Sequence, residues 1–425
     1  MEETQKITGQ IEISSNAVFE IEKKIKNFSD YQKKITEHLN APVTDLLETI
    51  LAGAIILNTS DIHIEPEEKK VKLRIRIDGL LEDALFFEKN TYQALLARIK
   101  LISGIKLNIF DRPQDGRFSI LWQNVSIEIR ASTLPAEYGE AIVLRILNPK
   151  SLIALESLGL RQDLLKLVEK EIKKPNGMII VAGPTGSGKT TTLYAFLNKI
   201  KKPEIKVITI EDPIEYHLEG ISQTQVKSSK TYDFASGLKS IMRQDPDVIL
   251  VGEIRDLETA ETALQAALTG HLVLSTVHSN DAAGVISRLA ALGAKTQNIS
   301  PALNIVIAQR LVRKVCSKCV QLKPVSPEEL KKIKSELGPL KKNLKIPKIS
   351  GCKNCNHSGY KGRIGIFEIF VVDDEIKKII LKNPSIIELK EKAIKKGMTT
   401  MKQDGLLKVL QGLTTVEEIE RITGE

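Results

Sequence analysis

Gly183-Pro184-Thr185-Gly186-Ser187-Gly188-Lys189-Thr190 is the stretch that decides the fold of this 425-residue chain. It fills the pattern G-x-x-x-x-G-K-[ST], entered by an apolar run and left by a helical one. Glycines at these positions let backbone N–H groups close around phosphate oxygens, at a helix N-terminus whose dipole favours anions. Lys189 is then placed to pair with β- and γ-phosphates, and the Thr190 hydroxyl to ligate Mg²⁺. The expected ATP contacts are Gly183, Pro184, Thr185, Gly186, Ser187, Gly188, Lys189, Thr190 and the adjoining Thr191.

Outward from this loop, apolar runs alternate with helical stretches. Met178 to Ala182, Val207 to Ile210, Val248 to Val251 and Leu272 to Thr276 read as buried strands, and Leu257 to Leu268 as a helix. Such alternation predicts a largely parallel sheet covered on both faces. Hydrolysis needs a carboxylate to orient or deprotonate water and another to hold the Mg²⁺ shell. Asp247-Val-Ile-Leu-Val-Gly-Glu253 is an apolar strand ending in an acid, and Glu211-Asp212-Pro213-Ile214-Glu215 sets three acids at the end of another. Ligands of parallel sheets sit at the carboxyl ends of the strands, so both clusters should face the phosphates.

Upstream, Asp45 to Asn58 suits a buried helix running into a strand at Ser60 to Pro66. Val71 to Ile77 alternates again before Asp78-Gly79, a hairpin turn signal. A helix over Thr91 to Ser103 and strands at Arg117 to Trp122 and Val125 to Ala131, joined by a tight turn, complete a small α+β domain. Two Cys-x-x-Cys pairs, Cys316/Cys319 and Cys352/Cys355, lie farther along, separated by 32 residues. Four thiolates in two tight pairs suit tetrahedral, structural Zn²⁺; a redox dithiol is the alternative, and His357 is a possible substitute ligand.

Composition bounds the rest. With 42% hydrophobic and 27% charged residues the chain reads as an ordinary globular protein, too long for one core. Aromatics at 4% argue against binding by base stacking, and a net charge of +9 permits an anionic partner without requiring one. The opening residues lack the apolar segment of an export signal. The most apolar stretch, Ile50 to Leu57, falls far short of the roughly 20 residues of a membrane span. A cytoplasmic protein with at most peripheral membrane contact is expected.

Five segments together resemble one family. They are Gly183-Pro-Thr-Gly-Ser-Gly-Lys-Thr-Thr-Thr-Leu193, Thr209-Ile-Glu-Asp-Pro-Ile-Glu215, Arg243-Gln-Asp-Pro-Asp247, Val251-Gly-Glu-Ile-Arg-Asp256 and Thr269-Gly-His-Leu-Val-Leu-Ser-Thr-Val-His278. They are similar to the Walker A, Asp box, Walker B and His box signatures of the type II secretion and type IV pilus ATPases, over about residues 40 to 425. The resemblance implies that Glu215 is the general base for water and that Glu253 holds Mg²⁺ through water, two roles the sequence leaves exchangeable. It implies that His271 and His278 sense the γ-phosphate. It also implies a homo-hexameric ring in which the N-terminal domain of one subunit completes its neighbour's site. Arg117 and Arg130 are the candidates for that in-trans role, since a fixed guanidinium suits the charge on a transferring phosphoryl group.

The same resemblance assigns the four cysteines to the zinc segment of the assembly branch. It implies ATP, Mg²⁺ and structural Zn²⁺ as cofactors, and inner-membrane platform and docking proteins as partners, with no nucleic acid expected. The function implied is a motor for pseudopilus or pilus assembly. Alternatives are a retraction motor of the same superfamily, against which the cysteines argue, and a RecA-like nucleic-acid motor. Ile221-Ser-Gln-Thr-Gln-Val226 leans towards secretion.

The expected organisation has six parts: a helical segment at 1–38, an α+β, PAS-like domain at 39–150, a linker at 151–175, a RecA-like core at 176–311, a zinc subdomain at 312–370 and a helical subdomain at 371–425. Three departures from the family pattern stand out. Asn108-Ile-Phe-Asp-Arg112 is short and poor in arginine; the turn between Trp122 and Val125 is tight; and only about 38 residues stand where a large docking domain is expected.

Overall fold

Period-two alternation in the first third of the chain builds a sheet with one apolar face. A computed structural model describes residues 9–12, 21–149, 153–226, 232–340 and 343–424. Its first strands are β1 (Gln10–Glu12), β2 (Asp61–Pro66), β3 (Val71–Ile77), β4 (Leu80–Phe87), β5 (Gln114–Trp122), β6 (Val125–Ala136) and β7 (Gly139–Leu147). They form one seven-stranded sheet in the order β1-β5-β6-β7-β2-β3-β4. Ile62, Ile64, Leu73, Ile75, Ile127, Ile129, Ile142 and Leu144 share a buried cluster with Leu46, Leu47, Ile50 and Leu51 of the helix Val43–Ile56. Each such aliphatic side chain contributes about 1.5–3 kcal/mol on burial.

Two of the sheet's hairpin turns have both central residues at positive φ. Asp78 and Gly79 have φ of 49° and 89°, and Gln123 and Asn124 have 49° and 63°. Positive φ at both central residues matches the right-handed twist of the flanking strands. The second turn sets Trp122 opposite Val125 and thereby Arg117 opposite Arg130. Arg130 in turn faces Arg145, Arg145 faces Asp61, and Asp61 faces Arg76. One cross-strand row therefore carries four arginines and an aspartate.

The second sheet comes from β8 (Gly177–Ala182), β9 (Val207–Glu211), β10 (Ser222–Gln225), β11 (Val248–Val251), β12 (Leu272–Val277), β13 (Leu303–Val315) and β16 (Tyr360–Val371). Their order is β10-β9-β11-β12-β8-β13-β16. Ladders from β10 through β13 are parallel. Every residue of β8, β9, β11 and β12 is buried, as continuous apolar runs in a doubly covered sheet must be. Between β13 and β16, β14 (Gln321–Pro324) and β15 (Lys345–Lys348) pair antiparallel around the helix Pro327–Leu337.

Two compact units result: Met1–Ser151 with Cys316–Cys319 and Ile349–Lys361, and Leu152–Val315 with Val320–Lys348 and Gly362–Glu425. The expected zinc subdomain at 312–370 is thus divided, because β13 and β16 belong to the core sheet while the cysteine turns group with the first unit. The stretch expected as a linker, 151–175, contains the helix Gln162–Glu171, whose Leu164 and Val168 are buried in the second unit's core. It is packed structure, since its apolar residues recur at helical spacing. Among the described residues, no helix is long and apolar enough to cross a membrane.

Candidate active site

Parallel register brings the sequence motifs to one edge of the second sheet. Ala182 pairs with Val277, and Val251 pairs with both Ile210 and Ser275. The phosphate loop, the 211–215 acids, Glu253 and His278 therefore all follow the carboxyl ends of adjacent strands. Gly188 caps the helix Lys189–Ile200 with φ of 87°, a conformation that a side chain would strain. Its neighbour Lys189 donates to the carbonyls of Gly183 at 2.8 Å and Pro184 at 3.1 Å. Burial pulls the Lys189 ammonium below its usual range, and the negative charge of Glu253 opposes that pull. The two groups thus feel one another across the site.

Glu253 sits on a braced turn. Gly252 N–H donates to Ile210 O at 2.8 Å, Thr276 Oγ1 donates to Gly252 O at 2.7 Å, and Ile254 N–H donates to Thr276 O at 3.0 Å. Its carboxylate meets the Arg255 guanidinium on one side and lies 3.5 Å from His278 Nε2 on the other. Arg255 also reaches Asp212 at 3.8 Å, which ties the two acidic segments together. Arg255 had no role assigned from sequence, although it stands in the quoted Gly252-Glu-Ile-Arg-Asp256 run. Thr190 and Thr191 lie half-buried in the first turn of the helix, beside Lys189. An acid, a hydroxyl at a helix N-terminus and a lysine so grouped fit a Mg²⁺–triphosphate substrate, with Thr190 and Glu253 as the groups that would hold the metal.

Glu215 follows β9 by four residues, on a loop that Gln223 clamps: Nε2 donates to Tyr216 O at 3.0 Å and Oε1 accepts from Leu218 N–H at 2.7 Å. Gln309 performs a similar task for the phosphate loop. It donates to Ser187 O at 2.7 Å and accepts from Thr192 Oγ1 at 2.8 Å. No local motif marks Gln309, because its partner loop is 122 residues away in sequence.

His271 is not brought to this edge. It precedes β12, where its backbone O accepts from Gly177 N–H at the start of β8, and its Nδ1 bonds Ala266 O at 3.0 Å. A six-residue strand separates it from His278, roughly 20 Å at the usual rise. Arg117 and Arg130 lie in the first unit, adjacent on β5 and β6, with Arg130 Nε 3.1 Å from Glu128.

The four cysteines gather where the chain leaves β13 and enters β16. All four sulfurs lie within 4.8 Å of one another, with Sγ–Sγ distances of 3.9 Å for Cys316–Cys352 and 3.7 Å for both Cys319–Cys355 and Cys352–Cys355. A tetrahedral Zn–S₄ site with bonds of about 2.3 Å has sulfurs about 3.8 Å apart. Cys355 Sγ accepts N–H groups from Cys352 at 3.2 Å and Gly359 at 3.3 Å, as a metal thiolate would. These residues fit structural zinc. His357, with φ of 61°, is not in the cluster.

Comparisons with known proteins agree on the family. The profile described as "Type II/IV secretion system protein" matches residues 36–421. The Type II secretion system protein E of Pectobacterium carotovorum subsp. carotovorum is 45% identical over 389 residues, covering 91% of this chain and 76% of the relative. The type IV pilus assembly ATPase PilB of Thermus thermophilus is 44% identical over 375 residues, covering 88% of this chain and 42% of PilB. Among solved structures, the pilus retraction motor PilT with bound ADP superposes with a TM-score of 0.60 at 29% identity, covering 89% of this chain and 97% of PilT.

Proposed function

This chain belongs to the Type II/IV secretion system protein family, and on that premise we propose that it works as a six-membered ring driving pseudopilus or type IV pilus assembly. It is an ATP-hydrolysing P-loop enzyme. The observation that carries the motor reading is that the expected site residues belong to two different units. Lys189, Glu253 and His278 converge at one sheet edge of the second unit, while Arg117 and Arg130 stand side by side in the first. Their cross-strand row carries four guanidiniums to one aspartate, a composition suited to an anion.

In this reading the phosphate loop and Lys189 hold the triphosphate, and Thr190 and Glu253 hold Mg²⁺. Glu215 takes the proton of the attacking water. Arg117 and Arg130 of a neighbouring subunit meet the charge developing on the γ-phosphoryl group. ATP then favours a closed arrangement of adjacent subunits, and release of phosphate and ADP lets them part. The cysteine cluster holds Zn²⁺ as a structural staple. The ring acts at the cytoplasmic face of the inner membrane on platform and docking proteins; the similarity to PilB supports the assembly branch.

Phosphate release per chain, measured as protein concentration rises with Mg²⁺ and Zn²⁺ present, tests this. Specific activity that climbs steeply supports a site shared between subunits. Substantial activity that stays flat with dilution rules the shared site out.

A further inference from the structure

Glu211 ends β9 with its side chain only 3% exposed, and no lysine or arginine pairs with it among the described residues. A buried carboxylate is costly unless hydrogen bonds satisfy it. Three donors do so here. Thr209 Oγ1 donates at 2.6 Å, Gln223 Nε2 at 3.2 Å, and the Tyr194 hydroxyl in a short bond. Each donor comes from a different place. Tyr194 is on the helix that begins at Lys189, one turn beyond Thr190; Thr209 is on β9; Gln223 is on β10, whose other bonds clamp Tyr216 and Leu218. The Tyr194 ring also meets that of Tyr216 edge-on, with centroids 6.3 Å apart.

The phosphate-binding helix and the Glu215 loop are therefore fastened to one buried carboxylate. We propose that Glu211, with Tyr194 and Gln223, is a positioning device that fixes the Glu215 loop against the phosphate-binding helix and so sets the base relative to the γ-phosphate. The inference rests on the reading of Glu215 as base. Glu211 is too enclosed to touch water or nucleotide, so its effect passes through Glu215. A base displaced by about 1 Å loses roughly a hundredfold in rate while substrate binding is spared.

The test uses the full chain with Mg²⁺. Steady-state hydrolysis, titration of a fluorescent ATP analogue and melting temperature are measured for Tyr194→Phe, Gln223→Ala, Glu211→Gln and Glu211→Ala. The first two substitutions are also placed on a Glu215→Gln background. Expected for Tyr194→Phe and Gln223→Ala is a kcat lower by about ten- to a hundredfold with nucleotide affinity within about twofold. No further loss is expected once Glu215 is replaced. Glu211→Gln, which keeps one acceptor oxygen, should retain more turnover than Glu211→Ala. Unchanged kcat in both Tyr194→Phe and Gln223→Ala, with Glu215→Gln inactive, overturns the positioning role alone. So do losses that multiply with that of Glu215→Gln, or affinity and melting temperature that fall in step with kcat. Wild-type turnover in Glu215→Gln removes the base reading, and this inference with it.

Discussion

His278 Nε2 lies 3.5 Å from Glu253 Oε2, joining the ends of the neighbouring strands β11 and β12 at the edge that carries the phosphate loop. The other histidine of the same run, His271, stands at the opposite end of β12. Replacing His278 with Ala is expected to lower kcat roughly a hundredfold, the scale for removing one polar partner at a reacting centre. His271→Ala should instead cost about 1 kcal/mol of stability through its lost bond to Ala266 O, with turnover little changed. Equal losses of turnover in the two variants would contradict this division.

Arg117 and Arg130 are expected to act on a neighbour's nucleotide. Neither the double variant Arg117→Ala/Arg130→Ala nor Lys189→Ala should turn over ATP appreciably alone. Mixed together they should regain activity, because an intact loop in one subunit can meet intact arginines in the next. Mixtures no more active than their components would place the arginines outside the site.

Native metal analysis should find about one zinc per chain, held by Cys316, Cys319, Cys352 and Cys355. Cys352→Ser/Cys355→Ser should lose the metal and melt at a lower temperature, since metal binding adds directly to folding free energy. Binding of ATP should persist, because the phosphate loop draws on none of these residues. Unchanged zinc content in that variant would refute the assignment.

Acid should release the last helix. Glu418, on the helix Val416–Thr423, is buried, which by itself would raise its pKa, yet Arg421 and Arg313 hold it down at about 2. Arg313 Nη2 donates at 2.7 Å and Arg421 Nη2 at 2.7 Å. A carboxyl with a depressed folded-state value stabilises fully above its ordinary value of 4.5, and that stabilisation fades as pH falls towards about 2. Glu418→Gln should therefore cost about 3 kcal/mol near neutral pH and progressively less below about pH 4, read from denaturant melts. A cost independent of pH would mean that the two arginines contribute packing alone.

Some of this was legible early because local pattern carried it. The runs Met178–Ala182 and Val248–Val251 are buried strands within a residue of expectation, and Leu257–Leu268 is helical throughout. Strands β4 and β7 were not foreseen. β4 reads Leu-Leu-Glu-Asp-Ala-Leu-Phe-Phe, with paired rather than alternating apolar residues, and it makes room for them with a register shift against β3. Tyr194, Gln309 and Arg255 were missed as a group, and Glu211, expected among the acids facing the phosphates, is instead buried against Tyr194, Thr209 and Gln223. Their value lies in partners from other strands, and a single sequence does not reveal such pairings.

What the sequence determined by itself was chemistry and local geometry. Gly183 to Thr190 can close on phosphate because glycine admits positive φ and a helix follows. Four cysteines in two tight pairs can hold zinc because thiolates at that spacing reach one tetrahedron. Tertiary structure decided which of these groups meet. Parallel register put His278 beside Glu253 and left His271 a strand's length away, since neighbouring strands run the same way and only their carboxyl ends share an edge. A two-residue turn at Gln123-Asn124 set Arg117 against Arg130, since register across a hairpin follows from the turn and not from the residues it aligns.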